Sequence, residues 1–240
     1  MKQLLIIGAG GLGREVLAWA IDASHRGETD WNVAGFLDSN RKALEGYPLP
    51  AGYSVVGDPQ TYNPTSNEVF VCAIGDPAIK LKMSRQLRER GGTFTNVIHP
   101  TALIGPGCRL GTGVIACPYV TLTTNVEVQD DVVLNIYAGC GHDSVIGTGS
   151  ILNGKCEVNG HAKLGEGVFM GCQSAVLPGI KVGDYCRIGA GSVVVRNTRS
   201  RSTVMGVPAK KLYTEQDFRS ENARQQKQQV DFYKPGEKAA

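Results

Sequence analysis

Val132-Val133-Leu134-Asn135-Ile136-Tyr137-Ala138-Gly139-Cys140-Gly141-His142-Asp143-Ser144-Val145-Ile146-Gly147 repeats one six-residue figure. A small or β-branched residue (Val132, Ala138, Ser144) is followed two positions on by a larger apolar one (Leu134, Cys140, Ile146). A turn-former comes next (Asn135, Gly141, Gly147). Extended outward, the figure makes every sixth residue from Ile104 to Val194 apolar, sixteen in all. With 42% of the chain apolar, chance would do this at a fixed phase roughly once in a million, so the period is real. The position after each apolar residue holds eight Gly and three Asn (Asn135, Asn153, Asn159). Both residue types tolerate positive φ, and we expect them to make the corners. Short straight sides with sharp bends close a triangular coil, and stacked coils bury one continuous core. At 18 residues per coil, the 94 residues from 102 to 195 make about five coils of a parallel β-helix of the hexapeptide-repeat type. The register never breaks, so no long loop leaves the prism.

Composition narrows the function classes. The 240 residues allow one large domain or two modest ones, and a net charge of +3 without any basic run argues against nucleic acid. The start, Met1 to Gly8, does not read as a signal peptide, because its apolar run is four residues long. No apolar run is long enough to insert into a membrane. Seven scattered cysteines lack metal-binding spacing, so no metal and a reduced, cytoplasmic setting are expected. Cys108, Cys156 and Cys186 fall on the small inward position and Cys140 on the large one, where they serve as core filler.

Ahead of the repeats, residues 4–7 read as a buried strand. They run into Gly8-Ala9-Gly10-Gly11-Leu12-Gly13, a GxGxxG, and a helix from Arg14. Further strands are expected at 32–37, ending in Asp38, and at 68–74, running into Gly75-Asp76, with a helix over 76–90. This is a βαβ-type half-domain. The glycine motif can set backbone amides against a phosphate at a helix N-terminus, and Asp38 lies where an acid could hold a ribose. About 98 residues are too few for a full dinucleotide fold, so hydride chemistry is disfavoured. A nucleotide or nucleotide-sugar site remains, as does a glycine turn that serves only strand-to-helix packing.

Of the four histidines, His25 sits in a polar loop and His99 precedes Pro100 at the entry to the repeats, a structural position. His161 has no acid beside it in sequence. His142 follows Gly141, precedes Asp143, and should point outward from a rigid coil edge. A histidine so placed is a natural base for a hydroxyl or amine attacking a thioester.

The chain resembles the NeuD/PglD-type sugar acyltransferases of the hexapeptide-repeat superfamily. The resemblance is carried by Ile6-Ile7-Gly8-Ala9-Gly10-Gly11, Gly35-Phe36-Leu37-Asp38, Ala73-Ile74-Gly75, Val97-Ile98-His99-Pro100-Thr101-Ala102, Leu134 through Gly147, Val176-Leu177-Pro178-Gly179 and Gly206-Val207-Pro208-Ala209-Lys210. It implies a Rossmann-like half-domain (1–98), a left-handed β-helix (99–212) and a polar tail (213–240), assembled as a homotrimer with sites between neighbouring prisms. It implies His142 as general base with Asp143 beside it. Acetyl-CoA would lie along Ile151, Gly171, Cys172, Ala190 and Lys210. A nucleotide-linked amino sugar would be held by Gly8, Gly10, Gly11, Leu12, Gly13, Asp38, Ser39, Gly75 and Asn135. Two positions depart from the bacillosamine-type pattern. Leu12 replaces a histidine of the glycine motif, and the Ser150-Ile151 region replaces a second histidine. The implied reaction is N-acetylation for surface-glycan synthesis. Sugar O-acetylation of the sialic acid type and a non-catalytic nucleotide-sugar-binding trimer remain as alternatives.

Overall fold

A computed structural model describes residues 1–27 and 29–214. The polar tail beyond Thr214, with Phe218, Val230, Phe232 and Tyr233, lies outside the described residues.

The front unit runs β1 (Lys2–Ile7), α1 (Gly11–His25), β2 (Trp31–Leu37), β3 (Val55–Gly57), β4 (Glu68–Cys72) and α2 (Pro77–Glu89). The strands form one parallel sheet ordered β3-β2-β1-β4. The expected elements are all present, and β3 is an addition, a short edge strand that the Pro- and Gly-rich stretch around it conceals. α1 covers one face of the sheet with Val16, Leu17 and Ala20 against Leu4 and Ile6. On the opposite face Leu87, at the end of α2, packs with Leu5, Ile7 and Phe70.

Val97–Ile98 begins a left-handed parallel β-helix of two-residue strands. Each strand pairs with the one 18 residues on, for example Val133 with Ile151 and Gly139 with Glu157. The spacing holds until the last coil, where Val182 bridges to Thr198 and Arg187 pairs with Thr203, each 16 residues away. Three faces result. The first carries Val133–Leu134 and Ile151–Leu152, the second Gly139–Cys140 and Glu157–Val158, and the third Val145–Ile146 and Lys163–Leu164. The second residue of each pair points inward. Leu134, Cys140, Ile146, Leu152, Val158 and Leu164 form the axial core with the small residues Val132, Ala138, Cys156 and Ala162. A hairpin of Ser202–Gly206 and Ala209–Thr214 closes the C-terminal end.

One expectation about the corners is corrected. The residue after each strand does not turn left-handed. Left-handed φ falls two residues later, at Tyr119, Asn125, Asp131, Tyr137, Asp143, Lys155 and His161 among others. The glycines directly after the strands are required by close stacking instead. A Cβ on Gly105 would lie 1.5 Å from the Thr123 carbonyl, and one on Gly171 would lie 2.6 Å from the Ala190 amide.

The two units share a buried seam. Outward residues of the first face, Ile115, Val133 and Ile151, pack with Val97 and the core beneath α1. Val97–Ile98, expected in the front unit, hydrogen-bond into this first face through Ile115–Ala116. α2 reaches the edge between the third and first faces. The Lys80 ammonium donates to the Asp131 carbonyl at 2.5 Å, and Arg88 grips the Asp131 carboxylate at 2.5 and 3.1 Å. Burial pulls the Lys80 pKa down to about 8. Among the described residues no helix is long and apolar enough to cross a membrane.

Candidate active site

His142 sits on the edge between the second and third faces, with its side chain 58% exposed. Two contacts set its ring. Nδ1 lies 2.9 Å from Asp143 Oδ2, and beneath the ring is Gly160, where a Cβ would come within 2.6 Å of Nε2. Gly160 therefore makes the room for the imidazole. Gly141, directly before His142, is needed for stacking, since its Cβ would meet the Gly160 amide at 2.7 Å.

Asp143 occupies a left-handed corner, φ 59°, and its amide donates to the Thr124 carbonyl. Asn125, one coil earlier in the same column, donates to Asp143 Oδ1 at 3.3 Å. The hydrogen bond from His142, helped by the one from Asn125, holds the Asp143 carboxyl below the usual carboxylate range. A carboxylate that stays ionised keeps Nδ1 as the protonated nitrogen and leaves Nε2 as the acceptor.

His161 is the residue that sequence reading missed. It stands one coil beyond Asp143 at the same left-handed corner, φ 60°, with Nε2 3.8 Å from Asp143 Oδ2. Its ring meets the His142 ring edge-on, with centroids 5.0 Å apart. The acid that seemed absent is supplied by stacking, and the signal was the 18-residue coil applied to position 143.

The residues expected for acetyl-CoA divide. Gly171, Cys172 and Ala190 come together on the edge between the first and second faces, where the Gly191 amide donates to the Cys172 carbonyl at 2.9 Å. Cys172 and Ala190 are exposed there. The second face separates this edge from His142 within one chain. Ile151 is buried in the seam between the two units. Lys210 is exposed in the closing hairpin.

The residues expected for the acceptor gather at the carboxyl ends of β1, β2 and β4. Gly8 takes φ +94°, and Gly13 lets α1 start hard against it, since a Cβ there would fall 2.0 Å from the Gly8 carbonyl. Gly10, Gly11 and Gly75 face open space, and Ser39 is exposed. Asp38 braces the glycine loop, accepting from the Ala9 amide at 2.8 Å and the Asn40 amide at 2.8 Å. Leu12 packs partly buried against the core beneath α1. Asn135 is on the edge after the first face of the prism and accepts its neighbour's amide from Ile136 at 2.7 Å. The two helix starts differ. Asp76 caps α2 by accepting from Ala78 and Ile79, whereas no side chain caps α1. Among the described residues no side chain takes up the first amides of α1, so they can take an anion. Asp76 also faces Arg187 at 3.6 Å, which ties the Gly75 loop to the late coils.

Residues 3–87 match the PglD N-terminal domain family, and residues 161–196 match the bacterial transferase hexapeptide family of six repeats. PerB from Caulobacter crescentus, solved with CoA and GDP-perosamine, is 30% identical, with 89% of this chain and 98% of that chain covered and a TM-score of 0.78. The acetyltransferase domain of PglB from Neisseria gonorrhoeae, solved with acetyl coenzyme A, is 25% identical over 88% of this chain and 99% of that chain, with a TM-score of 0.76. A serine acetyltransferase of Buchnera aphidicola is 35% identical over 55% of this chain, which spans 43% of that relative's length.

Proposed function

Because the chain belongs to the NeuD/PglD-type sugar acyltransferases of the hexapeptide-repeat superfamily, we propose that it is an acetyl-CoA-dependent N-acetyltransferase of a nucleotide-linked amino sugar, serving surface-glycan synthesis. The observation that carries the proposal is the His142–Asp143 pair at 2.9 Å, exposed on a rigid corner.

In this reading the amine attacks the acetyl carbonyl while His142 Nε2 takes its proton. Asp143 holds the ring and stabilises the imidazolium that forms. The tetrahedral adduct collapses, the C–S bond breaks, and the proton passes to the departing thiolate. Amine and acetyl-CoA thus become amide and CoA thiol. No acyl-enzyme is formed, and the buried cysteines take no part. Burial pushes the Cys117 thiol up to about 12, far from a reactive thiolate.

Nucleotide phosphates fit the uncapped start of α1, with Gly10, Gly11, Ser39 and Gly75 around them. Acetyl-CoA fits the small-residue edge at Gly171, Cys172 and Ala190. Because a face of the prism separates that edge from His142, a complete site takes His142 from one copy and the CoA edge from a neighbour. Three copies close such a ring.

A hydroxyl acceptor is the second reading, favoured by the similarity to serine acetyltransferases. A thiol-release assay with acetyl-CoA tests both, using UDP-, GDP- and dTDP-linked 3- and 4-amino sugars beside sialic acid and serine. Turnover confined to one nucleotide amino sugar supports N-acetylation. Turnover on sialic acid or serine alone replaces it with O-acetylation. Silence across the panel overturns both.

A further inference from the structure

We propose that His142, Asp143 and His161 form a binding site for a zinc-type dication, and that filling this site shuts off His142. The second half of the proposal rests on His142 being the base.

The ligand atoms of the three residues all lie within 4.8 Å of one another. Tetrahedral ligands about 2.1 Å from a zinc ion stand about 3.4 Å apart. The separations of 2.9 Å from His142 Nδ1 to Asp143 Oδ2, and 3.8 Å from Asp143 Oδ2 to His161 Nε2, bracket that value. All three pairs lie within 4.8 Å, so rotation of two exposed rings by up to about 1.4 Å closes the set. The backbone beneath is stiff, because the Asp143 amide donates to Thr124 and the His161 amide to the His142 carbonyl at 2.9 Å. Asn125 holds the other carboxylate oxygen, Oδ1, and so aims Oδ2 at the two imidazoles. Two imidazoles and one carboxylate suit a borderline transition metal rather than magnesium, which prefers an oxygen shell.

Coupling to the base follows from the tautomer. For catalysis Nδ1 carries the proton that Asp143 accepts, and Nε2 offers its lone pair. A dication bound at Nδ1 takes that lone pair, leaves the proton on Nε2, and occupies the carboxylate. His142 then has no acceptor to present. The ligands are spread over positions 142, 143 and 161, so no contiguous metal motif marks them.

The test is isothermal titration calorimetry of the untagged full chain with ZnCl2 alone, beside the same titration with MgCl2 and with His161→Asn. Asn tolerates the left-handed corner at 161, and an unchanged metal-free melting temperature will show that the variant is folded. One zinc per chain is expected, with no heat from magnesium and about tenfold or greater weakening in His161→Asn. Zinc should also inhibit acetyl transfer by the native chain, with the inhibition constant shifted upward in parallel in the variant. No zinc binding, or binding that ignores His161→Asn, overturns the site. Zinc binding that depends on His161 but does not slow turnover keeps the site and removes His142 as the base.

Discussion

Asp143 and His161 occupy the same left-handed corner on successive coils, with 3.8 Å between the Asp143 carboxylate and the His161 ring. They are 18 residues apart in the chain. That relationship, repeated through Asn125, makes an edge of the prism into a column of polar side chains on fixed backbone. A base on such a column does not have to be ordered by substrate.

His142→Ala should lower the rate of acetyl transfer by about 10²–10⁴-fold, the range for losing a general base. The ring is half exposed and makes no core contact, so the urea midpoint should stay put. Asp143→Asn keeps a residue suited to the corner but removes the charge that orients Nδ1. It should lower the rate in the same direction with little change in KM for acetyl-CoA. Equal rates for Asp143→Asn and the native chain would show that the carboxylate does not orient the base.

Gly160→Ala and Gly171→Ala should separate space from stacking. The first places a methyl 2.6 Å from His142 Nε2, the far end of a rotatable side chain. It should displace the ring and cut the rate while leaving stability nearly unchanged. The second places a methyl 2.6 Å from the Ala190 backbone amide, where nothing can swing aside. It should destabilise the chain by at least about 1–3 kcal/mol, the usual range for overpacking. Urea unfolding and acetyl transfer measured on both variants check the contrast.

Gly11→Ala and Gly13→Ala should differ in the same way at the front unit. A Cβ at Gly11 meets nothing within 4 Å, whereas one at Gly13 lies 2.0 Å from the Gly8 carbonyl. The first should leave the melting temperature unchanged and raise KM for the nucleotide sugar. The second should lower the melting temperature through loss of the β1–α1 packing.

Arg88→Ala should cost about 3 kcal/mol in urea unfolding, because it strands the Asp131 carboxylate, whose side chain is 2% exposed, in the seam between the units. A loss under about 1 kcal/mol would mean that Lys80 alone compensates that charge.

The Cys117 thiol should lower stability above pH about 9, against the opposite slope that the depressed Lys80 pKa supplies between about 8 and 10.5. Burial raises the Cys117 thiol from its ordinary 9.0 to about 12. The folded state therefore keeps a proton that the unfolded chain releases. The contribution is whole below pH about 9 and is lost progressively as pH rises toward about 12. Cys117→Ala should flatten the fall in unfolding free energy between those limits by up to about 1.4 kcal/mol per pH unit. An unchanged slope would show that the thiol is not the titrating group.

The period of six, the inward apolar column and the adjacency of His142 to Asp143 are all local properties, legible along the chain. Alternation of inward and outward residues follows from strand geometry, and steric closure of short strands makes the coil. The front half-domain was legible for the same reason, since strands and helices there carry their own periodicity. Tertiary structure alone decided three further matters. It moved the left-handed turn from Gly141 to Asp143, because the glycine is demanded by the neighbouring coil rather than by its own φ. It buried Ile115, Val133 and Ile151, which point outward from the coil, beneath α1. It brought His161 to Asp143 and kept Cys172 on another edge of the prism from His142. Each depends on which coil lies above which, and on what docks against a face. Those are contacts between residues distant in sequence, and no local pattern records them.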